Sequence, residues 1–475
     1  MPDSYDAVII GSGPNGLAAA ITLARADLSV LVLEARATVG GGTRSAELTL
    51  PGFVHDVCSA IHPLASSSPF FRSVPLESFG LRWLHPQIPL AHSLSDGRAA
   101  ILHRSVEETA AALGKDGPVY QRTIGALSQS AEALFEDLLG PLPFPPRHPA
   151  AMARFGWHAW RSAAGWARGH FHSEEARALF AGNAAHSWLP LRRPLTAAVG
   201  LMLHASAHYA GWPVAEGGSQ KIAEAMAAYL RTLGGEIQTG REVRSWADLP
   251  AARAYLFDTS PQALASIAGG RLPAGYRRSL ERYRFGPGAY KIDLALSGPI
   301  PWLNEACRRA GTVHVGGAME EIAEAEAAIW KGIMPARPFI LVGQQSLCDP
   351  SRAPEGKHTA WIYGHVPSCY AGDATDTLLG HIELYAPGFR DTILARHVMR
   401  PADWPAYNAN YIGGDIIGGV QDWRQMFTRP AARWNPYTTP APDIFLCSAS
   451  TPPGAGVHGM CGWWAARAAL RRSFS

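Results

Sequence analysis

The stretch Tyr5-Asp6-Ala7-Val8-Ile9-Ile10-Gly11-Ser12-Gly13-Pro14-Asn15-Gly16 decides the fold. An apolar run meets a glycine-rich turn, the Ala/Leu-rich segment Gly16 to Arg25 follows, and a second apolar run covers Ser29 to Leu33. This succession predicts a buried strand, a tight turn, a helix and a second strand, the opening βαβ unit of a parallel sheet. The G-x-G-x-x-G lies between strand and helix, and the acidic Glu34 closes the second strand, which is the dinucleotide-binding pattern. Gly11 permits the turn, Gly13 lets the backbone approach a pyrophosphate, and Gly16 allows close helix-strand packing. Ser12, Pro14 and Asn15 complete the turn at the helix N-terminus, where free N–H groups and the positive dipole end favour an anion. Glu34, with Ala35 beside it, is placed to accept from ribose hydroxyls. Without that strand, helix and Glu, the same glycines would read as a plain tight turn.

A second cluster, Gly40-Gly41-Gly42-Thr43-Arg44, follows directly. Gly41 and Gly42 bring backbone close, while the Thr43 hydroxyl and the Arg44 guanidinium suit phosphate oxygens. NAD sites seldom carry this sequel. At the other end, the strand pattern Asp443 to Cys447, the glycines Gly454, Gly456, Gly459 and Gly462, and a helix from Trp463 to Arg472 repeat the logic of the N-terminus. The chain is therefore expected to return to its first domain.

Between these ends the text changes character. Pro51 to Pro89 is loop-rich, and the run Pro141-Leu142-Pro143-Phe144-Pro145-Pro146 precedes helical periodicity that carries Trp157, Trp160, Trp166 and Trp188 as far as Tyr209. A helix is predicted over Gln220 to Leu233. Strands are predicted over Glu236–Thr239, Arg253–Asp258, Ala289–Leu296, Phe339–Val342 and Thr359–Val366.

At 475 residues the chain exceeds one ordinary core, so two domains are expected. With 47% hydrophobic and 17% charged residues it reads as a globular enzyme rather than a disordered chain. A net charge of +3 without a Lys/Arg run excludes the electrostatic footprint of a nucleic-acid binder. Arg161, Arg168 and Arg177 among the tryptophans suit acidic lipid headgroups, and equally a solvated helix face. Six cysteines without a CxxC pair argue against disulfide reductase chemistry and suit free thiols, with Cys58, Cys348 and Cys447 in apolar settings. The first strand begins too soon for a leader peptide, and Leu195 to Tyr209 is too short for a plain membrane span. The expected location is the cytoplasm, with peripheral membrane contact as the most that the chain admits.

Together, Glu34 and the Gly-Gly-Gly-Thr-Arg sequel resemble the FAD motif of the phytoene desaturase, carotenoid isomerase and amine oxidase superfamily. Trp212-Pro213 through Gly217-Gly218-Ser219-Gln220, Glu242-Val243 and Pro452-Pro453-Gly454-Ala455-Gly456-Val457-His458-Gly459 agree with it. Within that superfamily, Gly52-Phe53-Val54-His55-Asp56, His62-Pro63-Leu64, Lys291-Ile292-Asp293-Leu294 and Asp349-Pro350 to Lys357 resemble one phytoene-desaturase-like branch. It includes pyridine nucleotide-disulphide oxidoreductase domain-containing protein 2. No redox disulfide motif accompanies that name here.

The resemblance implies an α/β fold: a Rossmann-type FAD-binding domain (1–75, 210–270 and 436–475) interleaved with a mixed sheet-plus-helices substrate domain (76–209 and 271–435). It implies FAD as cofactor, Val243 backbone at the adenine, and Gly456, Val457 and Gly459 near the flavin ring, with the closing helix aimed at its pyrimidine side. Gly454 belongs to the same segment, and Ser448 stands where such enzymes often have Gly. The stretch from Val243 to Leu256 is too short for the hairpin common in carotenoid desaturases, so a carotene substrate is not implied.

Two side chains are candidates for catalysis. Lys291 sits where amine-oxidase-like flavoenzymes place a lysine that holds water at flavin N5; the alternative is a strand lysine reaching solvent at a sheet edge. His62 follows the pyrophosphate segment with His55 and Asp56, where a histidine suits proton transfer; satisfied loop polar groups are the alternative. His186, His204 and His208 lie on apolar helices and read as core histidines bonded to backbone, and no metal site is expected. The resulting expectation is an FAD-dependent oxidation, desaturation or isomerisation of a lipophilic, isoprenoid or unsaturated small molecule. A flavin amine oxidase using O₂ and a non-catalytic flavin-stabilised interaction protein stay open as alternatives, as does the oligomeric state.

Overall fold

A computed structural model describes residues 4–141 and 145–474; Leu142, Pro143 and Phe144 of the proline run lie outside the described residues. The chain opens with β1 (Tyr5–Ile10), α1 (Pro14–Ala24) and β2 (Val30–Leu33). It continues through β3 (Ile88–Ser93), β4 (Ala99–Leu102), α2 (Glu174–Ala185) and α3 (Thr196–Tyr209). Then come α4 (Gln220–Thr232), β5 (Glu236–Gln238), β6 (Ala252–Phe257), β7 (Gly288–Leu296), β8 (Ala310–Val315) and α5 (Met319–Ile329). The last elements are β9 (Ile340–Gly343), β10 (His358–Val366), β11 (Ile393–Met399), β12 (Ile444–Leu446) and α6 (Met460–Ser473).

Two large sheets result. The first has the order β12-β6-β1-β2-β5 and is parallel throughout. Because β1 is central and covered on both faces, its apolar run is nearly continuous rather than alternating. Ala7 and Ile9 pack with Leu17, Ile21 and Ala466 from α1 and α6, while Val8 and Ile10 pack with Leu264 and Ile267 on the other face. The second sheet has the order β11-β7-β10-β9-β8-β3-β4 and is mixed, with only the β8–β3 pair parallel among its described neighbours. The α/β class with one Rossmann-type and one mixed sheet is as the sequence predicts.

Two local differences have physical causes. The closing helix begins at Met460 rather than Trp463, and Gly462 lies inside it rather than in the preceding turn. A Cβ on Gly462 would stand 1.7 Å from the Asn15 carbonyl oxygen, so glycine here serves the close approach of α6 to the start of α1. The sequence also suggests that β7 has a wet face. It does not: all nine of its residues are buried, because β10 and β11 flank it and both faces are covered. Among the described residues no helix is long and apolar enough to cross a membrane.

Candidate functional site

A cavity of about 600 Å³ runs between the two sheets. One end is built on the carboxyl ends of the parallel strands, where β1 delivers Gly11, β2 delivers Glu34, β6 delivers Asp258 and β12 leads to Ser448. This is the place in an open parallel sheet where ligands bind. The other end is apolar and aromatic: Val199, Met202 and Leu203 from α3, Leu341 from β9, Trp361 and Tyr363 from β10, with Trp188 and Trp212 from loops.

At the first end the two glycine-rich turns touch. A Cβ on Gly41 would lie 2.9 Å from the Gly13 Cα, so both positions must be bare for the turns to meet. Gly13 caps α1 without a side-chain hydrogen bond, and Gly13, Pro14 and Asn15 all border the cavity. Of the first helical residues Pro14 has no N–H and the Gly16 N–H is given to Asp258 at 2.9 Å, which leaves the Asn15 N–H to face a ligand. Glu34 accepts from the Ser12 backbone N–H at 3.0 Å, the Ser12 hydroxyl at 2.5 Å and the Arg36 N–H at 2.9 Å.

Gly11, Ser12, Gly13, Pro14, Asn15, Glu34, Ala35, Gly41, Gly42, Thr43, Arg44, Val243, Ser448, Gly456 and Val457 all line the cavity. Gly16, Gly454 and Gly459 do not. Gly16 lies one layer beneath, where a Cβ would stand 2.1 Å from the Gly11 carbonyl oxygen. Gly454 abuts the Arg429 guanidinium and Gly459 abuts Phe70 and Ala18, so both serve packing. The α6 N-terminus is also less open than the sequence suggests, because the Met460 N–H donates to His458 Nδ1 at 3.0 Å.

Two polar groups expected on phosphate oxygens are engaged within the protein. Arg44 donates to the Thr38 carbonyl at 3.1 and 2.9 Å, to the Gly41 carbonyl at 3.2 Å and to Glu34 at 3.0 Å. The Thr43 hydroxyl donates to the Gly40 carbonyl at 2.8 Å. Both hold the second turn in shape, leaving its backbone to face a ligand. Tyr407 reinforces it by donating to the Gly41 carbonyl at 2.8 Å.

The His62 ring borders the cavity and is otherwise buried. The Ser219 hydroxyl donates to the Ser59 carbonyl at 2.7 Å, so it accepts from His62 Nε2 at 2.9 Å, which fixes the tautomer with its proton on Nε2. Burial lowers the His62 pKa to about 4, so the ring is neutral at neutral pH. Asp56 accepts from the Ser219 N–H at 2.7 Å and pairs with Arg352 at 3.0 Å, and Arg352 also pairs with Asp349 at 2.7 Å. Three segments far apart in sequence (His55-Asp56, Gly217 to Ser219 and Asp349 to Arg352) are thereby joined in one buried ionic cluster that positions His62.

Lys291 corrects the solvent-facing alternative. It is 1% exposed and pairs with Asp293, with its ammonium 5.8 Å from the centre of the Trp361 ring. Nor is it among the cavity-lining residues; Trp361 lines the cavity in its place. His55 and His397 lie 3.8 Å from the two Asp293 oxygens, completing a buried charge cluster. Burial holds the His55 pKa down to about 4.

Sequence reasoning missed Asp258. It takes the Gly16 N–H at 2.9 Å, borders the cavity, and burial pushes its carboxyl up to about 7, with Glu34 adding to the rise. An acidic residue at the carboxyl end of a predicted strand beside β1 was the available signal. It also missed Cys58, which lines the cavity and donates to the Tyr411 hydroxyl at 3.6 Å. His204 and His208 do bond backbone, to the Gly200 and Arg104 carbonyls. His186 does not: it lines the cavity and pairs with His314 at 3.2 Å. Among the described residues no three His, Cys, Asp or Glu side chains are grouped to hold a metal ion.

Residues 9–74 match the family model described as NAD(P)-binding Rossmann-like domain. Pyridine nucleotide-disulfide oxidoreductase domain-containing protein 2 of Mus musculus is 25% identical, over 98% of this chain and 93% of its own length. The lycopene-forming phytoene desaturase of Pseudescherichia vulneris is 25% identical, over 95% of this chain and 96% of its own. Among solved structures, a putrescine oxidase triple mutant superposes with a TM-score of 0.64 at 18% identity, covering 99% of both chains, which shows a shared fold.

Proposed function

We propose that this chain, an oxidoreductase related over nearly its full length to phytoene desaturases, holds FAD and acts on a lipophilic substrate. The observation that carries the reading is one continuous cavity, with a dinucleotide turn at one end and an apolar, aromatic chamber at the other. The turn around Gly13, Asn15 and Gly41 would hold the pyrophosphate, Glu34 the ribose, and Val243 the adenine; Ser448, Gly456 and Val457 would border the flavin. Bound there, FAD supplies a two-electron acceptor able to take a hydride from carbon.

The chain's own residues bind, orient and exclude water. Val199, Met202, Leu203, Leu341 and Trp361 offer an apolar surface that sheds water from a hydrocarbon substrate. The acidic residues that line the cavity, Glu34, Glu242 and Asp258, belong to its dinucleotide end, so the substrate chamber favours a neutral, apolar molecule over a charged amine. Neutral His62 gives its Nε2 proton to Ser219, so we assign the acceptance of a proton to Nδ1, which stands 3.4 Å from the Ser59 hydroxyl. Lys291 acts as a positioning residue, since its pairing with Asp293 supports Trp361 from behind.

The test is the visible absorption spectrum of the purified protein, with chromatography of what acid releases. Free FAD, followed by anaerobic bleaching with an unsaturated isoprenoid, is the expected result. A colourless protein that also refuses added FAD overturns the assignment.

A further inference from the structure

We propose that Thr312, His186 and His314 form a recognition site for one neutral oxygen function, a hydroxyl or a carbonyl, on the otherwise lipophilic substrate. This rests on the reading above that the chamber takes such a molecule. Thr312 and His314 are two residues apart on β8 and so share one face. Thr312 lines the chamber, is 1% exposed, and its hydroxyl has no hydrogen-bond partner among the described residues. A buried hydroxyl without a partner is costly, and a ligand atom in the chamber is what could satisfy it.

His186 lines the same chamber and its Nε2 lies 3.2 Å from His314 Nε2. One of those two nitrogens donates and the other accepts, leaving His186 Nδ1 as the atom available to a ligand. If His186 gives its Nε2 proton to His314, Nδ1 accepts from a hydroxyl. With the proton direction reversed, Nδ1–H donates to a carbonyl. Burial depresses both imidazole pKa values, that of His186 to about 3, so the pair is neutral and offers no charge to a carboxylate.

A third ring, His92, stands edge-on to His314 with ring centres 6.1 Å apart. His92 Nε2 donates to the Gly317 carbonyl at 2.8 Å, which leaves its Nδ1 a bare acceptor. His92 Nδ1 and His314 Nδ1 converge on the point where a Cβ of Gly182 would stand, at 2.8 and 2.7 Å. A side chain at residue 182 of α2 would push the rings apart, so glycine is what lets this cluster form. Phe339 closes over His314 with ring centres 5.1 Å apart, and Trp212 stands edge-on to His186 at 6.1 Å. The polar atoms are thus set in an apolar wall, the arrangement that fixes the orientation of a lipophilic ligand.

The experiment equilibrates the purified holoprotein with 1-octanol, octanal and octane and measures the bound fraction of each by gas chromatography. Octane is the most apolar of the three, so burial alone favours it. The expected result is the reverse, with octanol and octanal binding at least about tenfold tighter, because octane leaves Thr312 and His186 unsatisfied. Thr312→Val, which keeps the shape of the side chain, should cut that preference at least about threefold without weakening octane. Equal affinity for all three compounds overturns this inference alone, as does an undiminished preference in the valine variant. No binding of any of them overturns the lipophilic-substrate reading and this inference with it.

Discussion

Asp258 offers the sharpest test of the physical argument. Burial pushes its carboxyl up to about 7 from an ordinary 3.8, with Glu34 adding to the rise and the Gly16 N–H opposing it. The folded value lies above the unfolded one, so between about pH 4 and 7 the native state holds a proton that the unfolded chain has released. Its contribution to stability is therefore full below about pH 4, falls as the pH rises to about 7, and is level beyond. The whole gap is worth about 4 kcal/mol at ~1.4 kcal/mol per pH unit. Cavity water screens one side of the carboxyl, which reduces the expected cost to about 2 kcal/mol. Asp258→Asn keeps an oxygen for the Gly16 N–H and removes the ionisation. For a chain of 475 residues, at ~2.1 cal/mol/K of unfolding entropy per residue, that corresponds to about 2 °C in melting temperature. Thermal melts of the apoprotein at about pH 4.5 and pH 8 should show the variant within about 0.5 °C of wild type at the lower pH and melting about 2 °C higher at the upper. A melting difference that does not change with pH would refute the buried, protonated carboxyl.

Three further substitutions follow from the packing. Lys291→Met leaves the Asp293 carboxylate buried with only histidines near it, so it should cost about 3–5 kcal/mol, and adding Asp293→Leu should restore most of the melting temperature. If the double variant melts no higher than the single one, the pairing argument fails. Gly16→Ala places a methyl 2.1 Å from the Gly11 carbonyl oxygen, so the purified variant should carry little flavin and lose about 3 kcal/mol; wild-type flavin absorbance per chain would count against the turn as the binding element. Gly182→Ala, which presses on His92 and His314, should cost about 1–3 kcal/mol in melting experiments while leaving the flavin content unchanged.

Short-range chemistry made the dinucleotide half legible in the sequence. The strand, turn and helix of β1 and α1, the acid at the end of β2 and the Gly40 to Arg44 turn all lie within the first 44 residues. Each is dictated by local preferences: an apolar run, positions that must be bare, and a proline at the first helical turn. The residues Gly456, Val457 and Ser448 were legible only through resemblance, because nothing local in them says that β12 returns to lie beside β6. The branch segments around Asp56, Ser219 and Asp349 were legible as text and opaque as structure, until Arg352 joined them.

Burial and partnership, by contrast, were decided by the tertiary structure alone. The alternating pattern of β7 gives Lys291 a place on a strand, but only the neighbours β10 and β11 turn that face inward and leave Asp293 as its counter-charge. Burial raises the Asp258 pKa, with Glu34 adding to the rise, against the Gly16 N–H that pulls it down from 242 residues away in sequence. His186 and His314 meet because α2 packs near β8 through a glycine, and 128 residues separate them. Periodicity reports which residues share a face of one element. Which element covers that face, and therefore whether a polar group meets water, a partner or a ligand, depends on long-range contacts that no local pattern encodes.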